Sequence, residues 1–326
     1  MAPGALLARF IRPAHLALLL GLPVAALGCD GEVLNLGASP LESGGAGSAS
    51  TAGTASRIWD VNPTPLLPQK EKLLLANPSL NEGQSELYYS AQIRGADAKV
   101  HIEVATPVGS AFGNPTPVLF GGDSQPADVS SPAVSAKADE LWFGQFSATS
   151  GHTEIWHSAR EGAAWAAPTL VPELNSPAGD TAPRPPGVNG TIMPLSSKRH
   201  GGPNYQIYFS ERASAASAWS EPHQTGLTAL NSAEFQSADG FLNESGLELY
   251  FSSTRDGDHT DNDLYVARRS AIGADFGAPQ PLVDLNDPVT GKPSEERMPW
   301  LNRDGTQLYF VSDRSGQYTL YVATKL

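Results

Sequence analysis

Four carboxylates stand where short apolar runs begin. Glu296 precedes Pro299 by three residues, Asp180 precedes Pro183 by three, Glu234 occupies the matching place in its own unit, and Asp128 is a looser match. Brought together, they would ring a depression and hold a cation or an amine-bearing ligand, with crowding raising at least one carboxyl pKa. The local alternative is that each acid accepts backbone N–H groups in its own turn. A second group, Asp256, Asp258, Asp261 and Asp263, supplies enough oxygen for Ca²⁺. It is not an EF-hand, because Asp261 stands where the loop glycine belongs and Ala267 where the last glutamate belongs. His152, His200 and His259 fall in corresponding loops and would bind a transition metal only if those loops converge. The chain has no Gly-x-Ser-x-Gly, His-Glu-x-x-His, Walker-type or Gly-x-Gly-x-x-Gly motif.

What must position these residues is a repeat. An aromatic residue followed closely by proline recurs as Trp59/Pro63, Phe112/Pro115, Trp165/Pro168, Trp219/Pro222 and Phe276/Pro279, at proline intervals of 52, 53, 54 and 57. Each pair is followed by a turn-forming stretch and a β-type run: Leu87-Tyr88-Tyr89, Leu141-Trp142-Phe143, Ile192-Met193-Pro194, Leu249-Tyr250-Phe251 and Leu308-Tyr309-Phe310. A further run follows each one, such as Glu154-Ile155-Trp156 and Thr319-Leu320-Tyr321. With 32 Gly and 27 Pro and almost no amphipathic helical stretch, five units of about four strands predict an all-β, five-bladed β-propeller over residues 57–326. The last unit ends after its third strand, while Trp59 to Leu67 has no unit before it. The N-terminal strand is therefore predicted to complete the last blade, and deletion of residues 57–68 to lower the melting temperature sharply.

The segment Arg303-Asp304-Gly305-Thr306-Gln307-Leu308-Tyr309-Phe310-Val311-Ser312-Asp313-Arg314 resembles the repeat of WD40-like, TolB-type propellers. Leu249-Tyr250-Phe251-Ser252-Ser253-Thr254-Arg255 with Asp263-Leu264-Tyr265 is a second match, and Leu174-Asn175, Leu230-Asn231 and Leu285-Asn286 resemble the link between blades in envelope members of that family. The third unit departs most, with Pro194 inside an expected strand and an insert from Ser196 to Asn204. The resemblance implies protein or cell-wall-associated partners, and it implies that Arg255, Arg314 and Arg199 pair with blade carboxylates. Five-bladed propellers also carry glycosidases with carboxylates at the starts of inner strands, in which case Asp180, Glu234 and Glu296 would be acid, base and orienting group. A sugar-binding lectin is a third possibility.

The ends of the chain address location. Arg9 and Arg12 precede the apolar run Ala14 to Gly28, too short to span a bilayer, so residues 1–28 read as a signal peptide. Ala26-Leu27-Gly28-Cys29 resembles a bacterial lipobox whose cysteine, the only one in the chain, becomes lipidated. Residues 29–56, rich in Gly, Ser and Ala, read as a flexible tether of roughly 30 Å mean span. With 21 Lys and Arg against 34 Asp and Glu, a nucleic-acid partner is disfavoured, because phosphate binding draws its affinity from clustered cations. The combined expectation is a membrane-anchored lipoprotein on the periplasmic or cell-surface side, a binding or scaffold module for envelope proteins or carbohydrate rather than an enzyme.

Overall fold

A computed structural model describes residues 24–27, 33–36, 58–60, 64–68, 73–93, 99–122, 124–185, 187, 189–256, 261–286 and 294–326. Strands β1 (Val24–Leu27) and β2 (Val33–Leu36) pair antiparallel within the segment read as leader and tether. Cys29 lies outside the described residues.

The rest is a five-bladed propeller of antiparallel sheets. After β3 (Thr64–Pro65), blade 1 comprises β4 (Leu73–Leu80), β5 (Leu87–Ile93), β6 (Val100–Val108) and β7 (Ala111–Pro117). Blade 2 has β8 (Val129–Val134), β9 (Glu140–Ser147) and β10 (His152–Glu161), edged by β11 (Ala164–Trp165) and β12 (Thr169–Leu170). Blade 3 has β13 (Asp180–Thr181), β14 (Ile192–Ser197) and β15 (Gln206–Glu211), with an outer bridge from Phe209 to His223. Blade 4 is β16 (Ser237–Leu242), β17 (Glu248–Ser253), β18 (Asp263–Arg268) and β19 (Gln280–Pro281). Blade 5 is β20 (Glu296–Leu301), β21 (Gln307–Ser312) and β22 (Thr319–Thr324), completed by β3 through Tyr321↔Pro65 and Val322↔Thr64. The chain start thus closes the ring, and buried Trp59, Leu66 and Leu67 join the core cluster that links blades 5 and 1.

The repeat's residues are explained by packing between blades. The aromatics before each proline, Trp59, Phe112, Trp165, Trp219 and Phe276, are all buried, Phe112 and Trp165 on outer strands. Four links between blades carry an amide side chain that clamps both backbone groups of the preceding third strand, as a short piece of strand would. Asn175 clamps Ile155, Asn231 clamps Ile207 and Asn286 clamps Leu264, at 2.7 to 3.0 Å. Gln125 does the same for Ile102 at 2.8 Å in both directions.

Every first strand bends at one left-handed residue: Asn77, Ser131, Ala182, Asp239 and Met298, with φ between 45° and 59°. In four blades the pairing register shifts there, as a β-bulge requires. Left-handed backbone costs non-glycine residues about 1–2 kcal/mol each, so neighbours must hold it. Contacts across the blades do so: Ser131 N–H donates to Ser90 Oγ (2.9 Å), Asp239 N–H to Ser196 Oγ (3.0 Å) and Asn77 N–H to Met298 Sδ (3.3 Å). Pro194 is accommodated in β14, where its carbonyl accepts from Arg184 N–H at 2.9 Å. Its missing N–H removes a ladder bond on the same side, and β13 is only two residues long.

Candidate functional site

On the face where first strands begin, Asp180, Ser237 and Glu296 open β13, β16 and β20 opposite Ser197, Ser253 and Ser312. Two residues after each of those serines stands Arg199, Arg255 or Arg314. Each arginine donates through Nε to its serine Oγ at 3.0 to 3.2 Å, and through a terminal nitrogen to the carbonyl of Leu174, Leu230 or Leu285 at 2.6 to 2.8 Å. The same terminal nitrogen meets Asp180 at 2.7 Å in blade 3, Glu296 at 3.1 Å in blade 5, and the hydroxyl of Ser237 at 3.1 Å in blade 4.

Both acids are fully buried. Asp180 uses both oxygens, since its second accepts Ser176 N–H. Glu296 Oε1 accepts from Ser294 Oγ (2.6 Å), Ser312 Oγ (2.7 Å) and Arg314, while buried Oε2 has no partner among the described residues. Burial pushes the Glu296 carboxyl up to about 7, outweighing the two serine hydroxyls and the Arg314 charge that pull it down. In blade 4, where no carboxylate among the described residues pairs with it, burial lowers Arg255 to about 10. Arg255 lies over Phe251 and Tyr265 at 5.0 and 5.1 Å, as Arg314 lies over Phe310 and Tyr321 at 5.2 and 5.3 Å, and has one further ring, Phe235, at 4.9 Å.

The other acids lie elsewhere. Strand register assigns the blade 4 position to Ser237, and Glu234 stands exposed three residues earlier. Asp128 is half-buried with a φ of 56° and directly precedes Val129, the blade 2 equivalent. Asp180 and Glu296 belong to blades separated by blade 4, each closed on its own arginine. In the loop read for calcium, Asp256 is exposed and Asp263 opens β18, while Asp258 and His259 lie outside the described residues. Among the described residues, no three His, Cys, Asp or Glu side chains form a metal-holding group.

The opposite face carries what the sequence reading missed. Where first strands end, all five blades line a depression of about 440 Å³ on the axis. Its apolar lining includes Leu80, Val134, Phe241, Leu242, Trp300 and Leu301. The rim is built of repeated turns. Asn81, Ser135, Asn243 and Asn302 each accept the two backbone N–H groups that start the next strand, for example Glu248 N–H on Asn243 at 3.1 Å and Gln307 N–H on Asn302 at 2.9 Å. Arginines then staple neighbouring blades. Arg160 grips Glu86 with two bonds of 2.7 Å, and Arg212 grips Glu140 at 2.9 and 3.3 Å while lying over Trp219 at 4.4 Å. The signal was present in Asn243 and Asn302, which recur at the ends of the inner strands.

No protein-family model matches this chain, and no curated protein matches it in sequence. Solved structures match it in shape. A glycoside hydrolase superposes with a TM-score of 0.59 at 10% identity, over 82% of this chain and 91% of that one. A thermostable family-43 glycoside hydrolase gives 0.52 at 11%, over 80% and 92%. TolB from Acinetobacter baumannii gives 0.42 at 12%, over 77% of this chain and 54% of its own, so the match spans about half of TolB. Likeness at such identities establishes the propeller fold and no activity.

Proposed function

We propose that this chain is a non-catalytic binding module of the bacterial cell envelope, lipidated at Cys29, that presents its propeller to envelope proteins on a Gly/Ser/Ala tether. The observation that supports the reading is the state of Asp180 and Glu296. A glycosidase needs two carboxyl groups that flank one scissile bond and reach the substrate. Here both are fully buried, and each is bound to the arginine of its own blade. They act as struts that fix the link between blades through Arg199 and Arg314.

The test has two arms. Full-length protein carrying a photo-reactive residue at exposed Glu234 is expected to crosslink a membrane-fraction protein, and Cys29→Ser to move the chain out of that fraction. A panel of chromogenic glycosides is expected to remain unhydrolysed. Turnover that disappears in both Asp180→Asn and Glu296→Gln would overturn the proposal, as would recovery of the uncrosslinked chain alone.

A further inference from the structure

The axial depression continues sideways. A second volume of about 450 Å³ lies between blades 4 and 5, lined by Ser245, Glu248, Tyr250, Asp304 and Gly305, and it shares Asn243, Glu244, Leu301 and Arg303 with the depression of about 440 Å³. In a ring of five, the gap between blades 4 and 5 lies diametrically opposite blade 2. The two volumes therefore form one groove that runs inward between blades 4 and 5, crosses the axis and stops against blade 2. Leu80, Val134 and Pro185, from blades 1, 2 and 3, wall its inner part. A long molecule that enters between blades 4 and 5 has its end in the depression.

Charge defines which end. Most ionised groups of the groove are already matched. Arg212 grips Glu140, Arg303 is bound to Glu82, and Glu248 accepts from Arg268 at 2.8 Å and from Tyr250 at 3.1 Å. Asp139 accepts the Ser135 hydroxyl and Asp304 the Thr306 hydroxyl, both at 2.6 Å, and exposed Lys325 lines the outer part beside Asp304. The side chains of Lys137 and Glu244 are exposed and have neither an ion pair nor a hydrogen bond among the described residues. Lys137 stands on blade 2 at the closed end, and Glu244 on blade 4 where the two volumes meet. The depression they flank has an apolar floor that includes Phe241, Trp300 and Leu301. Separate, opposite charges on either side of an apolar floor match a chain that carries both charges and an apolar side chain. A neutral sugar chain uses neither charge.

We infer that this groove binds the C-terminal end of a peptide, with the terminal carboxylate at Lys137, the apolar side chain of the last residue on Phe241, Trp300 and Leu301, and a basic residue two positions earlier at Glu244. An extended chain advances roughly 3.3 Å per residue and turns every second side chain to the same face, so the last residue and the one two before it both face the groove. The formal charge of −13 on the whole chain draws in a ligand with basic residues. The inference rests on the binding half of the reading above, not on its envelope half.

The probe is the peptide acetyl-Ala-Lys-Ala-Phe with a free carboxylate, titrated into the full-length protein at low salt by calorimetry. Saturable binding is expected. Amidation of the C-terminus, or Ala in place of the peptide's Lys, should each weaken it about threefold, the worth of one exposed ion pair. Gly in place of its Phe should weaken it at least tenfold, through the lost burial of an aromatic side chain. Lys137→Gln should bring the acid down to the level of the amide and leave the amide unchanged. Glu244→Gln should likewise abolish the difference between the Lys and Ala peptides. Both side chains are exposed, so both variants fold. No saturable binding, equal binding of acid and amide, or tighter binding of xylotetraose than of the peptide would overturn the inference. Crosslinking from Glu234 without peptide binding removes this inference alone, whereas peptide binding without any crosslink removes the envelope assignment and leaves the groove's chemistry standing.

Discussion

Blades 3, 4 and 5 present one structural slot filled three ways: Asp180, Ser237 and Glu296, each beside an arginine that caps the turn between blades. The aspartate is short, and both its oxygens find donors. The glutamate is one methylene longer, gathers three donors on one oxygen and leaves the other orphaned, so burial wins and its carboxyl rises to about 7. The serine brings no charge, and Arg255 has one ring, Phe235, beyond the pair that Arg314 also has. The slot therefore serves geometry first, and charge is one of several ways to satisfy the arginine.

Breaking the aspartate slot should have the largest effect. Asp180→Ala leaves the partly buried Arg199 without its counter-ion, a loss of about 3 kcal/mol, read as a melting point lower by roughly 10 °C. An effect no larger than that of Glu296→Gln would erase the distinction between the two slots.

Next comes the pH response of the glutamate. Its folded pKa lies above the unfolded value, so the folded state binds the extra proton between about 4.5 and about 7. Its contribution is fully present below about 4.5 and is lost as pH rises through about 7. Glu296→Gln should flatten that fall, by at most about 3 kcal/mol between the two limits, and should be the more stable protein at pH 8. Chemical denaturation at pH 5 and pH 8 checks this, and an unchanged slope would remove Glu296 as its source.

Converting the serine slot should have a smaller effect. Ser237→Asp gives Arg255 a carboxylate and is expected to stabilise by about 1 kcal/mol at pH 7 in urea unfolding, a gain that vanishes as the new acid is protonated. A loss instead would mean that the additional ring of Phe235 already fills the role. Smallest is the staple on the other face. Arg160 holds the Glu86 carboxyl below its ordinary range, so the pair's stabilisation is present above the unfolded pKa and lost as pH falls. Both side chains are partly exposed, and Glu86→Gln should cost no more than about 1 kcal/mol.

Much of the fold was legible because the repeat is written in short-range chemistry. The aromatic-proline pairs, the runs Leu249-Tyr250-Phe251 and Leu308-Tyr309-Phe310, and the incomplete last unit led to five blades and to the closing N-terminal strand. The Leu-Asn links were visible as well, though Gln125, which does the same work without a preceding leucine, was not. The acids were legible only in part. Counting from proline located Asp180 and Glu296 but put Glu234 where Ser237 belongs, because blade 4 carries Gly240 in place of that proline. Alignment on the left-handed residues Ala182, Asp239 and Met298 recovers the register, and left-handed backbone at non-glycine residues has no composition signal.

Residue types and their spacing were enough to dictate a wheel of similar sheets, since strand pattern, turn chemistry and the need to bury both faces of each sheet act within one unit or between neighbours. Whether an acid faces solvent or an arginine, and that Trp300, Phe241 and Arg212 from three blades converge on one axial depression, depended on closing the ring. Closure sets distances between residues far apart in the chain, and no local preference encodes those distances.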